Sequence, residues 1–158
     1  MTKILVIGYG NPGRGDDGLG PALIKLVEEN GLGCESGACG VTTDSDYQLN
    51  IEYAVDFAKH DKVIMIDASE TGPEPFGFDR VIPSKDSRFT THSISPGTLA
   101  ALTGELTETP PDCRLLAIRG YNFDFGEGLS AEAESNMLAA YDFLESLIAE
   151  LKKRTVDQ

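Results

Sequence analysis

Asp16 and Asp17 stand side by side after a glycine-rich turn, Asp67 closes an apolar run, and His92 lies further on in a polar stretch. Carboxylate oxygens and an imidazole nitrogen are ligands for divalent ions. Asp17, Asp67 and His92 together suit Zn²⁺ or another first-row ion, with coordination positions left open. An ion held that way polarises a carbonyl or acidifies a bound water. No His-Glu-x-x-His is present, so the chain is not a zincin. Each residue also has a plainer reading. Asp16 is explained as a helix N-cap, Asp67 as a cap where a strand meets a loop, and His92 as a hydrogen-bonded loop histidine. His60, the other histidine, sits at a polar helix end where a C-terminal cap is explanation enough.

The turn before the two aspartates reads Gly8-x-Gly10-x-x-Gly13, a dinucleotide fingerprint when taken literally. Such a turn offers bare N–H groups and a positive helix end to a pyrophosphate. Here Asp16 and Asp17 occupy that helix end, and two carboxylates repel a diphosphate while favouring a cation. A nucleotide-binding module is therefore the lesser reading of this segment.

These residues need elements to hold them. Residues 3–8 are short, apolar and β-branched, which predicts a buried parallel strand. A loop over 9–15 then leads to a helix from about 17 to 29, with Asp16 as its cap and Pro21 in its early turns. A short strand is expected near 38–43 and a helix over 48–59. Residues 62–67 form the second clear buried strand, ending at Asp67. Residues 76–82 alternate apolar and polar, as an edge or antiparallel strand does. Residues 86–92 read as loop. Ser95-Pro96 opens a helix, 113–120 is another strand, and Ser130 caps a long final helix to about 153. Strands alternating with helices predict a single-domain α/β three-layer sandwich. Its sheet is twisted and mostly parallel, with one antiparallel edge strand and helices on both faces. The domain spans 1–154, and 155–158 is expected to fray. In such a sheet the ligand crevice lies at the carboxyl ends of the strands, where the Gly8–Gly20 segment, Asp67 and His92 all fall.

The charge excludes some partners. With 26 acidic and 13 basic residues the net charge is −13. That field repels phosphate backbones and anionic lipid, so neither nucleic acid nor membrane is expected as a partner. No targeting or spanning segment is seen. Three cysteines, Cys34, Cys39 and Cys113, lack framework spacing and point to reduced thiols and a cytoplasmic location. Isolated thiols are the expectation, although a pairing or metal clip of Cys34 with Cys39 in a loop stays open.

The opening stretch, Ile4-Leu5-Val6-Ile7-Gly8-Tyr9-Gly10-Asn11-Pro12 with Arg14-Gly15-Asp16-Asp17-Gly18-Leu19-Gly20, resembles the signature of the hydrogenase maturation endopeptidases. The strand ending Asp67-Ala68 and the segment His92-Ser93-Ile94-Ser95-Pro96 are similar to that family's other two blocks, in order and spacing. The resemblance covers nearly the whole chain. It implies an endopeptidase that removes the C-terminal peptide from the large-subunit precursor of a [NiFe] hydrogenase after nickel insertion. It also implies that Asp17, Asp67 and His92 are the metal-contacting and catalytic residues. Relatives often carry Glu at the first position, so Asp17 is a shorter arm. Asn11 and Asp16 match the motif as loop and cap residues. The partner implied is the nickel-loaded precursor, and the divalent ion is that precursor's nickel, for which zinc or cadmium could substitute. Two routes stay open: a resident ion that activates water, or residues that read the substrate's nickel while a carboxylate activates water. The second is favoured because it lets the free enzyme lack tightly held metal. A non-catalytic nickel chaperone with the same site is the further alternative.

Overall fold

The computed structural model describes residues 2–84 and 94–156. His92, and the whole of the loop expected over 86–92, lie outside the described residues. The first strand, β1 (Ile4–Tyr9), is buried at every position. Its side chains alternate between two cores. Ile4 and Val6 join Ile64, Ile66, Leu116 and Ile118 on one face of the sheet. Leu5, Ile7 and Tyr9 join Val63, Met65 and Cys113 on the other. A strand buried on both faces must be apolar throughout, which is why its sequence shows no alternation.

The sheet has the order β2-β1-β3-β5-β4. Strands β2 (Val41–Asp46), β3 (Lys62–Ser69) and β5 (Asp112–Arg119) run parallel with β1, and β4 (Phe76–Arg80) pairs antiparallel with β5 at one edge. Helices α1 (Leu19–Glu29) and α4 (Ala131–Val156) cover the first face through Leu19, Leu23, Ile24, Val27, Ala140 and Leu144. Helices α2 (Tyr53–Ala58) and α3 (Pro96–Leu106) cover the second through Ala54, Phe57 and Leu99. The three-layer sandwich with one antiparallel edge strand is as the sequence predicts. Among the described residues no helix is long and apolar enough to cross a membrane.

Several boundaries differ from expectation. The helix expected from 17 begins instead with a 3₁₀ turn, Gly15–Gly18, and α1 starts at Leu19. Asp16 caps neither, since neither start has a side-chain cap bond. Its carboxylate is drawn away by donors 105 to 114 residues distant. Strand β2 starts later than expected and runs on to Asp46, after a turn in which Gly40 has φ +91°. Only Tyr53–Ala58 of the helix expected over 48–59 forms, because Asn50 opens a turn there, its side chain accepting from Glu52 N–H at 3.0 Å. Strand β3 continues two residues beyond Asp67, paired with β5 through Ser69↔Arg119. Ser95 does cap α3, accepting from Thr98 N–H at 3.2 Å, with Pro96 in the first turn.

Candidate functional site

Strand order reverses between β1 and β3. The chain leaves β1 for β2 on one side, then returns to β3 on the other. Loops diverge at such a switch point and leave a crevice at the carboxyl ends. Pairing of β1 with β3 stops at Gly8↔Ile66, whereas β3 goes on pairing with β5. Asp67 is therefore the first β3 residue freed on its β1 side. Its Oδ1 accepts the Ala68 N–H at 2.8 Å, which orients the carboxylate.

Asp17 reaches the same place by a folded-back loop. Gly10 has φ +141°, and the Asp17 carbonyl occupies the space that a Cβ on Gly10 would need. Only glycine permits that approach. Asp17 Oδ2 accepts the Asn11 N–H at 2.8 Å, and Asn11 Oδ1 accepts from Gly13 N–H at 2.9 Å. Gly20, at the start of α1, lies against the carbonyls of Tyr9 and Ile66, so the helix start sits directly on the ends of β1 and β3.

Burial pushes the Asp67 carboxyl up to about 6; the Ala68 N–H and the Tyr9 hydroxyl oppose the shift, and the negative charge of Asp17 adds to it. The two carboxylates therefore sense each other across the crevice, as like charges brought close do. Tyr9 is 8% exposed, and its hydroxyl finds no aligned hydrogen bond although it lies near enough to Asp67 for each to perturb the other. Burial and the Asp67 charge raise its own pKa. Tyr9 is not among the expected site residues. The available signal was a phenol at the end of an otherwise aliphatic strand, two residues along from Ile7 on the same face.

Asp16 is 0% exposed and holds the whole corner together. It accepts from Tyr121 N–H, Asn122 N–H, Ser130 N–H and the Ser130 hydroxyl at 2.7–3.0 Å. Burial pushes its carboxyl up, but these donors outweigh it and hold it below the usual carboxylate range. Asp16 thus stays charged without touching the crevice, and it fixes the 3₁₀ turn that carries Asp17.

The phosphate reading of the glycine turn loses its donors. Gly10 N–H goes to the Asp46 carbonyl, Asn11 to Asp17, Gly13 to the Asn11 side chain and Arg14 to the Asn11 carbonyl. Gly15, Asp16 and Asp17 N–H groups bond to the carbonyls of Gly126, Asn122 and Arg14. Pro12 has none to give. A diphosphate would find no free backbone N–H from Gly10 through Asp17.

An open cleft of about 230 Å³ adjoins this corner, lined by Gly10, Pro12, Pro21, Ser45, Asp46 and Tyr47. It lies at the ends of β1 and β2, beside Asp17 and Asp67 rather than around them. Tyr47 stands 70% exposed on its rim.

This architecture has solved counterparts. HycI, a [NiFe] hydrogenase maturation protease from Thermococcus kodakarensis, superposes with a TM-score of 0.71 at 20% identity, over 94% of this chain and 93% of that one. The hydrogenase maturating endopeptidase HybD from E. coli gives 0.70 at 19% identity, over 94% and 93%. A hydrogenase 2 maturation peptidase from a Thaumarchaeota archaeon gives 0.65 at 23% identity, over 94% and 99%. The chain has the fold of the hydrogenase maturation proteases. No protein-family model matches the sequence, and neither does any curated protein.

Within that fold, the structure brings together two of the expected site residues, Asp17 and Asp67. His92, the third, lies outside the described residues. Among the described residues no group of three or more His, Cys, Asp or Glu side chains is arranged to hold a metal. The two carboxylates still suit a divalent ion. One oxygen of each is committed to a backbone N–H, which leaves its partner oxygen for a ligand of opposite charge.

Proposed function

We propose that this chain is an endopeptidase that removes the C-terminal peptide from the large-subunit precursor of a [NiFe] hydrogenase after nickel insertion. The observation that carries the reading is the convergence of Asp17 and Asp67 at the β1/β3 switch point of a maturation-protease fold. His92 completes the set by sequence. The ion these side chains meet is the nickel of the precursor, which belongs to the substrate. Zinc or cadmium would suit the same oxygen and nitrogen donors.

Hydrolysis needs a water activated against the scissile carbonyl. Asp67 has the character for that task. Its carboxyl is raised to about 6, so it is ionised at neutral pH yet more basic than an ordinary aspartate. Asp17, held by Asn11, supplies a fixed second charge. Water adds to the carbonyl, its proton passes to the carboxylate, and the amide nitrogen leaves carrying that proton. The enzyme works in the cytoplasm on this reading. The acidic surface favours a basic client segment.

The test is cleavage of a nickel-loaded precursor by the full chain and by Asp17→Ala, Asp67→Ala and His92→Ala. Each variant is expected to lose processing at least about 100-fold, in line with removal of a general base. Processing by all three at the parent rate would sink the proposal. Binding of precursor or nickel by the parent chain with no peptide-bond cleavage would instead identify a nickel chaperone.

A further inference from the structure

Two thiols meet in a loop that the proposed reaction does not use. The backbone of Cys34 pairs with the outer side of β2: its N–H donates to the Val41 carbonyl at 3.1 Å, and its carbonyl accepts from Thr43 N–H at 3.2 Å. The chain then turns back on itself. Gly37 and Gly40 adopt φ +74° and +91°, and Gly37 N–H closes onto the Cys34 carbonyl at 3.1 Å. The Lys152 ammonium at the end of α4 pins the turn by donating to the Cys39 carbonyl at 3.3 Å. This path returns Cys39 onto Cys34, with the two Sγ atoms 2.8 Å apart. Cys39 is exposed and Cys34 is partly so. Isolated thiols are the expectation from sequence; tight glycine turns instead press these two together.

We propose that Cys34 and Cys39 form a thiol–disulfide exchange site, oxidised to a disulfide within the loop by a small disulfide of the glutathione type. The site is independent of the peptidase reading. In the first step the Cys34 thiolate attacks one sulfur of oxidised glutathione. That S–S bond breaks, a Cys34–glutathione bond forms, and one glutathione thiolate leaves and takes up the proton Cys34 had lost. In the second step the Cys39 thiolate attacks Cys34 Sγ. The mixed disulfide breaks, and the second glutathione leaves and is protonated in turn. Two protein thiols are oxidised, one disulfide is reduced to two thiols, and protons balance.

The geometry also says which sulfur attacks first. Cys39 N–H lies 3.4 Å and the Ser36 hydroxyl 3.6 Å from Cys34 Sγ. The Cys39 thiol, with these donors, brings the Cys34 thiol down to about 7, which favours Cys34 as the attacking thiolate. Cys113 is the internal control. It is buried among α2, α3 and the sheet, and burial, with the nearby Asp112 charge, pushes its thiol up to about 11. Oxidation would lock the 34–40 turn over the edge strand β2, whose far end lines the cleft beside Gly10.

The experiment equilibrates the full chain with mixtures of oxidised and reduced glutathione, traps free thiols by alkylation and maps them by mass spectrometry. The expected result is joint loss of two thiols in a monomer, a peptide cross-link between residues 34 and 39, full reversal by excess reduced glutathione, and a free Cys113. Cys39→Ser should accumulate one stable glutathione adduct at Cys34. Cys34→Ser should form its adduct about tenfold more slowly, having lost the activated thiolate. Three free thiols under oxidising mixtures, a persistent adduct on the parent chain, or disulfide-linked dimers would each overturn the proposal. Equal rates for the two serine variants would overturn the order of attack and with it the site as assigned. Both positions lie in a surface turn, and equal unfolding midpoints would verify that the variants fold.

Discussion

Asp16 and Ser130 stand 114 residues apart in the chain and are joined by two hydrogen bonds of 2.7 Å, one from the Ser130 N–H and one from its hydroxyl. Ser130 also accepts from Ala133 N–H at 3.3 Å, so the residue that starts α4 is the one that clamps the 3₁₀ turn. The turn carrying Asp17 is thereby tied to the loop after β5 and to the longest helix.

That clamp makes Asp16 a stability residue. Asp16→Asn would point an NH₂ group at donors and leave buried N–H groups without an acceptor. The expected loss is about 2–4 kcal/mol, the cost of unsatisfied buried polar groups near a lost charge. Urea denaturation measures it. A loss below about 0.5 kcal/mol, the range of ordinary surface changes, would show that the clamp is dispensable.

Gly10 should tolerate no side chain. Gly10→Ala combines a left-handed φ with a clash against the Asp17 carbonyl, and the loop must move to relieve it. We expect a loss of about 2 kcal/mol or more, with Asp17 displaced and processing impaired. Gly104 is the contrast. It lies inside α3, and a Cβ added there would meet nothing within 4 Å, so Gly104→Ala should stabilise by about 0.5–1 kcal/mol. Similar thermal shifts for the two variants would contradict this.

Asp67 should trade stability for function. Its charge is largely buried beside that of Asp17, and burial is what raises its carboxyl to about 6. Asp67→Asn keeps an oxygen for the Ala68 N–H while removing the charge. At pH 7.5 the variant should be more stable by about 1–2 kcal/mol, a discounted equivalent of the shift, and inactive. Calorimetry alongside the cleavage assay checks both halves. A destabilised variant would mean that the Asp67 charge has a compensating partner.

The opposite end of the sheet should respond to acid without touching activity. Asp112 accepts from Lys62 Nζ at 3.2 Å and Arg114 Nε at 3.0 Å, where β3 and β5 begin. Burial pushes its carboxyl up, but Arg114 and Lys62 outweigh that and hold it below the usual range. A lowered folded pKa contributes stability above the unfolded value near 3.9 and loses it as pH falls through the folded one. These side chains are about a third exposed, so the contribution is roughly 0.5–1 kcal/mol. Asp112→Asn should show that deficit at pH 6 and a shrinking one as the pH falls below the unfolded value towards the folded one, with unchanged processing. A deficit constant across that span would count against the pairing.

Element types and order were legible in the amino-acid sequence because they are local properties. Unbroken apolar runs marked β1 and β3, helical spacing marked α1 and α4, the Ser95-Pro96 pair marked the start of α3, and the alternation over 76–82 marked β4 as an edge strand. A carboxylate after Val63-Ile64-Met65-Ile66 was visible as a costly charge at a strand's end. What tertiary structure alone decided was neighbourhood. The β2-β1-β3-β5-β4 order rests on backbone hydrogen bonds, which are blind to side-chain identity, and that order places Asp17 and Asp67 at one crevice. Long-range donors turned Asp16 from an expected helix cap into a clamp on Ser130, and two left-handed glycines turned separate thiols into a pair. Local sequence states which groups want partners; only the closed fold, where burial removes water as the alternative, settles which partners they get.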